Sequence, residues 1–260
     1  MKKRFILCGM SVLVAAFFIS GVAIAVDERL IYKAGPLRNS LIELYTSDAS
    51  PNGNPALEWM SSLKEKASEE ILWKKVVPIA LHAHVWDVSG YKDAFGRPAY
   101  DERLLAYKKK WNANNVYCPT MIVNGVEWSG WSRQQAVPPE TKLAGTLLVD
   151  GTKREGYFEV SFEPDKLLRG QEFTAHAALV AFGLKSKPSD GKNRGKSLRH
   201  DFISMIYKTQ DFRSSREGLT TLVELSRPRG ILVEKYAVVF WVTKKGDILP
   251  LQATGGYLPA

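Results

Sequence analysis

The stretch Leu41 to Trp59, LIELYTSDASPNGNPALEW, constrains the fold more than any other part of the chain. Leu41 to Tyr45 is a short apolar run of the kind that makes a strand. A loop of Thr, Ser, Asp, Asn, Gly and Pro follows, and apolar positions at helical spacing begin at Ala56 and Leu57. A strand that feeds a helix through such a loop is the first half of a βαβ unit. Ligands of open α/β sheets bind where those loops gather, beyond the carboxyl ends of the strands. A site in this chain is therefore expected to border Ser47 to Pro55.

The N-terminal half continues that pattern. A helix is predicted from Pro55 to Ile71, with Leu57, Met60, Leu63 and Ala67 facing a sheet, and Pro55 suits its first turn. Val76 to Val85 is apolar enough for a strand covered on both faces. A helix from Pro98 to Trp111 ends in Lys108, Lys109 and Lys110, cations that suit the negative end of the dipole and read as its solvated end. A short strand then enters through Cys118 and Pro119 and leaves through Asn124 and Gly125, a strong hairpin signal. This order is that of a thioredoxin fold over residues 40–137.

From Val137, Pro138 and Pro139 onward the texture changes. Short runs with turn signals between them cover 144–149, 157–162, 172–182, 202–207, 219–225, 236–243 and 247–251. Alternation at Phe173, Ala175, Ala177 and Leu179, and again at Val238, Phe240 and Val242, predicts half-buried strands of a mainly antiparallel β-sandwich over 138–260.

Composition fixes the compartment. Met1, Lys2, Lys3 and Arg4 precede an uncharged run from Phe5 to Ala25 that closes on Ala23, Ile24 and Ala25. A basic start, an apolar core and a small-residue site describe a signal peptide over 1–25, cleaved before Val26, with a linker over 26–39 and a periplasmic destination. The run also reaches the roughly 20 residues that span a bilayer, so an N-terminal anchor facing the periplasm is the alternative, and only then is a membrane a partner. Removing the leader takes Lys2, Lys3 and Arg4 with it and leaves +6 of the formal +9. That moderate basicity, in an exported protein, excludes nucleic acid as the expected partner. Cys118 is the sole cysteine after the leader, so no intrachain disulfide forms.

Four motifs resemble a family of bacterial exported proteins of unknown function with a thioredoxin-like domain followed by a β-rich domain. Glu43, Leu44, Tyr45, Thr46 and Ser47, then Pro55 and Ala56, match its first motif. His82, Trp86, Asp87, Gly90, Lys92, Asp93 and Phe95 match the second, with departures at Leu81, His84, Val85, Tyr91 and Ala94. Val116 to Gly125 match the third, and residues 191–201 with 251–258 the β-rich half. The family's Cys-x-x-Cys positions are Ser50 and Gly53 here. The resemblance implies that Pro119 is cis and faces the Ser50 loop.

A dithiol cycle needs a low-pKa thiolate and a resolving thiol, so Ser50 and Gly53 exclude it at this loop. The reading that follows is a non-catalytic, cofactor-free binding protein of the cell envelope. Its groove, formed by Ser50, Pro51, Asn52, Gly53, Cys118 and Pro119, would accept an extended polypeptide or an envelope protein. The alternative is a thiol oxidoreductase or metal-binding protein that uses Cys118 with His82 or His84, two apart on one strand face, and Asp87 or Cys118 completing the ligand set. Glu43, a carboxylate inside an apolar strand, is expected to pair with a cation such as Lys92 or to anchor the loop. Ser50, His82 and Asp87 lack the glycine elbow of a nucleophilic serine. Lys185, Lys187, Lys192, Arg194, Lys196 and Arg199 read as a solvated loop, with acidic lipid heads or polysaccharide as the alternative contact.

Overall fold

The computed structural model of the protein describes residues 29–50, 52–68, 70–87, 91–215 and 218–259. The predicted signal peptide, Pro51 and Gly90 lie outside these residues. The elements in chain order are β1 (Ile31–Ala34), β2 (Ser40–Thr46), α1 (Gly53–Lys66), β3 (Val76–His82), α2 (Pro98–Lys110), β4 (Thr120–Val123) and β5 (Val126–Glu127). They continue as β6 (Gly145–Gly151), β7 (Tyr157–Pro164), β8 (Phe173–Phe182), β9 (Leu184–Ser186), β10 (Leu198–His200) and β11 (Ile203–Asp211). The last are β12 (Arg213–Ser215), β13 (Gly218–Glu224), β14 (Lys235–Lys244) and β15 (Pro250–Tyr257).

The opening stretch folds as its pattern dictates. The apolar run becomes β2, buried along its whole length, the polar loop turns, and α1 carries the chain back to β3, which pairs with β2 in parallel. β4 joins β2 on the other side, antiparallel, and Asn124 and Gly125 turn the chain into β5. α1 buries Ala56, Leu57, Trp59 and Met60, and stops at Lys66 rather than Ile71. β3 stops at His82, three residues short of expectation, because the chain then coils into a helical turn at His84–Trp86.

The expected α/β thioredoxin-like domain followed by an antiparallel sandwich is not what forms. The protein is mostly β, and its principal layer is one mixed sheet of eight strands in the order β15-β14-β8-β11-β3-β2-β4-β5. Strands from both sides of residue 137 share it. The joint is β11 on β3, a parallel pairing at Ile203 and Ala80 reinforced by Ala80 N–H to Phe202 C=O at 2.8 Å. A second sheet, β1-β6-β7-β13-β12, includes residues 31–34 of the expected linker, and β9 with β10 make a small ribbon.

The same arrangement explains why β8 and β14 are not half-buried. Both are buried almost end to end, since Ala178 and Val180 between the alternating positions of β8 are apolar too. Phe162 of β7 meets Phe173 of β8 edge-on, and Phe158 of β7 meets Phe240 of β14. Phe162 and Phe240 each contribute about 2 kcal/mol by leaving water. No helix among the described residues is long and apolar enough to cross a membrane.

Candidate functional site

Segments remote in sequence meet beneath the loop between β2 and α1. Asp48 comes from that loop, His82 is the last residue of β3, Asp93 lies in the connection to α2, and His200 ends β10. Asp48, His82 and His200 are 0% exposed and Asp93 is 2% exposed. His82 Nδ1 stands 2.8 Å from Asp93 Oδ2 and 3.8 Å from Asp48 Oδ1. His200 Nε2 lies 3.4 Å from the same Asp48 oxygen and 2.8 Å from Ser186 Oγ. The Ser186 hydroxyl donates to Asp48 Oδ2 at 2.5 Å. The Asp48 and Phe95 N–H groups donate to the two oxygens of Asp93 at 2.7 and 2.9 Å, and the Phe95 ring stands edge-on to both imidazoles.

The cluster is electrostatically demanding. Burial alone would raise the Asp93 carboxyl, but the charge and hydrogen bond of His82 hold it below the usual range. Burial would raise Asp48 too, and His200 and His82 lower it against the repulsion of Asp93. Burial opposes charge on His82, yet Asp93 and then Asp48 push its pKa up. Two ionised carboxylates thus sit in a dry interior beside imidazoles. Asp48 Oδ1, His82 Nε2 and His200 Nδ1 have no hydrogen-bond partner, which is costly for buried groups. One ligand atom from each of Asp48, His82 and His200 lies within 4.8 Å of the others, the donor set of a His-His-carboxylate metal site. Asp93 holds His82 through Nδ1 and so would orient the ring for an ion taken by the unpartnered Nε2, as carboxylates commonly orient metal-bound histidines.

A second loop closes the cluster. Asn193, 0% exposed, donates its amide to the carbonyls of Asp48 and Ser50 at 3.0 and 3.2 Å. Gly191 carries the chain close over this loop with φ of +78°, and a Cβ there would lie 3.1 Å from the Ala49 carbonyl oxygen.

The predicted residues divide between this centre and its surroundings. His82 is in it and His84 is not. Because β3 ends at His82, His84 turns away and faces Asp101, 3.6 Å from Nδ1 to Oδ2. Asp87 stands one step back, accepting the Asp93 N–H at 3.3 Å. Ser50 takes no part in a triad with His82, whose partner is Asp93. Cys118 sits half-buried beside the loop, its sulfur 3.9 Å from Thr46 Oγ1, outside the histidine cluster. Burial pushes its thiol up, against hydrogen bonds from Ser50, Thr46 and the Ser47 N–H, the reverse of what a nucleophilic thiolate needs. The Cys118–Pro119 peptide is cis. Of the groove residues, Asn52 is exposed, Ser50 and Pro119 are half-buried, and Gly53 is buried. A side chain at position 53 would collide with Thr46, whose Oγ1 would lie 2.3 Å from a Cβ there.

Glu43 pairs with Arg103 at 2.6 Å rather than with Lys92, which is exposed. Tyr107 and Tyr45 hydroxyls donate to the same carboxylate at 2.6 and 3.1 Å. The six cations of the 185–199 stretch are all exposed, and Arg199 pairs with Glu234 at 2.8 Å.

Sequence reasoning missed Asp48, Ser186, Asn193 and His200, and gave Asp93 no role. The usable signal lay in the motifs: Asp93, Asn193 and His200 all stand in matched stretches.

Comparison with known proteins agrees on the fold. The X-ray structure of a Northeast Structural Genomics Consortium target from Agrobacterium tumefaciens is similar at TM-score 0.50, with 18% identity over 86% of this chain and 95% of that one. HBP35 of Porphyromonas gingivalis is similar at TM-score 0.56, with 13% identity over 86% of this chain and 76% of that one. At such identities the likeness speaks for fold alone. No curated protein matches the chain. The family described as "Protein of unknown function (DUF1223)" matches residues 41–243, and the chain belongs to that family.

Proposed function

We propose that this is an exported protein that binds one divalent transition-metal ion through Asp48, His82 and His200. The observation that carries the reading is a set of three buried polar atoms without hydrogen-bond partners, Asp48 Oδ1, His82 Nε2 and His200 Nδ1, one on each residue of the cluster. A divalent ion among two neutral imidazoles and the carboxylates of Asp48 and Asp93 brings the buried charge to zero, which burial favours. Zinc, copper(II) and iron(II) suit such donors. The ion would draw the β2–α1 loop, the end of β3 and the end of β10 together, a role in holding structure or cargo. The export half of the proposal rests on the apolar run and small-residue site before Val26.

Isothermal titration of the chelator-treated chain from Val26 with Zn2+ tests this. One equivalent is expected to bind, with stability rising by about 2.7 kcal/mol at a hundredfold excess over Kd. Asp48→Asn and His200→Gln should abolish binding, while His84→Gln and Cys118→Ser should keep it. Retention of no metal by the unaltered chain, with no change in Tm, would overturn the reading. Capture of an extended polypeptide beside Pro119 is a second reading, favoured by Tyr117, an aromatic ring 64% exposed next to the half-buried Cys118. Loss of copurifying peptide in Tyr117→Ala, with metal binding intact, would support it.

A further inference from the structure

Far from the histidine cluster, one end of the molecule joins the entry of the chain at Arg29, the connection from β13 to β14 and the end of β15. The β13–β14 connection, residues 225–234, reads Leu-Ser-Arg-Pro-Arg-Gly-Ile-Leu-Val-Glu. At its tip Leu232 is 93% exposed and Ile231 39%, with Arg227 and Arg229 before them and Lys235 just after. The arginines bring this connection against the chain entry. Arg227 and Arg229 line one cleft together with Leu30 and Leu258, and Arg227 Nη2 donates to the Pro259 carbonyl at 2.5 Å.

An adjoining cleft of about 480 Å3 is walled by Tyr32, Trp73 and Tyr257 and rimmed by Lys33, Lys74 and Lys235, with no carboxylate among its lining residues. Lys235 lies 3.8 Å over the Tyr257 ring. Asp150, Glu70 and Glu234 are spent on Arg29, Lys74 and Arg199. Lys33, Lys153, Arg229 and Lys235 form no ion pair among the described residues; two exposed carboxylates without one stand at this end, Glu155 in the clefts lined by Lys153 and Arg229, and Glu224, which accepts the Ser226 hydroxyl.

The geometry points to a docking surface for an anionic lipid bilayer at this end. Three observations converge on that occupant. Cations around the tip supply attraction to acidic headgroups, and polybasic surfaces of this kind bind them cumulatively. Leu232 and Ile231 supply the side chains that enter the acyl boundary, which a soluble polyanion would have no use for. The half-buried rings of Tyr32 and Tyr257 beside Lys33 and Lys235 match the interfacial zone, where flat amphipathic rings and long cationic side chains sit. The chain also reaches Arg29 at this same end, four residues after the uncharged run Phe5 to Ala25 stops, past Asp27 and Glu28. Whether that run is retained or removed, the end it leads into is the one dressed for a membrane. The histidine site plays no part in this inference.

Every described element lies beyond Ala25, so the chain from Val26 carries all of them and is the form to test. Cosedimentation with phosphatidylcholine vesicles, with and without 30 mol% phosphatidylglycerol, is expected to show about tenfold higher retention on the anionic ones, falling in 0.5 M salt. Leu232→Asp and Arg229→Glu should each lower retention about fivefold with an unchanged circular dichroism spectrum. Leu167→Asp, at an 89% exposed leucine that belongs to neither cleft nor tip, should have no effect. Equal retention on neutral vesicles, or equal loss in Leu167→Asp, would overturn the proposal. So would salt-sensitive binding indifferent to Leu232→Asp, which would mark a polyanion site instead.

Discussion

Glu43 and Arg103 form a buried ion pair, and the guanidinium also lies over the Tyr107 and Trp241 rings at 5.4 and 5.0 Å from their centroids. Burial works against the charge on Arg103, but Glu43 and the surrounding tyrosines keep its pKa well above its ordinary value. Removing one partner of such a pair leaves a charge stranded in the interior, so Glu43→Gln or Arg103→Met should each destabilise the protein by about 3–5 kcal/mol in urea unfolding. The double substitution Glu43→Leu with Arg103→Met should recover most of that loss. If the single and double variants fall by the same amount, the pair is not coupled in the way the geometry implies. Glu43 was conspicuous in the sequence as a carboxylate inside an apolar strand. Its partner was legible too, in retrospect, since Arg103 sits among Tyr100, Leu104 and Tyr107 on the one face of α2 that is buried.

At the scale of elements, local pattern carried the reading a long way. Apolar runs and turn residues placed β2, the loop after it, α1, β3, α2 and the β4–β5 hairpin within a few residues, and six of the seven strand runs expected after residue 137 fall on strands, while 247–251 only overlaps the start of β15. What local pattern does not encode is which strand lies beside which. His82 found its true neighbour, His200, only because β11 docks on β3 and brings the β9–β10 ribbon over the β2–α1 loop. The spacing of His82 and His84 pointed to a pair that exists only if the strand continues, and it stops. The 187–197 connection makes that long-range contact specific through Asn193. Asn193→Ala should cost about 1–3 kcal/mol, since the Asp48 and Ser50 carbonyls lose their partner in a buried setting. It should also weaken Zn2+ binding while leaving every ligand in place; unchanged affinity would show that the connection does not position Asp48.

For the whole molecule, the principal sheet makes residues on either side of 137 interdependent. β11, β8, β14 and β15 continue the layer that β3, β2, β4 and β5 begin. Fragments 26–137 and 138–260 expressed alone are therefore expected to lack fixed tertiary structure, and the intact chain should unfold in one transition seen alike by tryptophan fluorescence and far-ultraviolet circular dichroism. Two separated transitions would show that the halves are independently stable.

The parallel joint between Ala80 and Ile203 also dictates a timetable. Its two sides are separated by nearly half the chain, and loop-closing pairings of that span form late. Until the later strands arrive, the first half presents a naked apolar strand, β3, whose amides and carbonyls would add to any passing chain. A polypeptide made amino end first would be sticky for as long as its distal half is delayed. Its yield should therefore depend more on escort by a holdase than on the final stability of what it becomes.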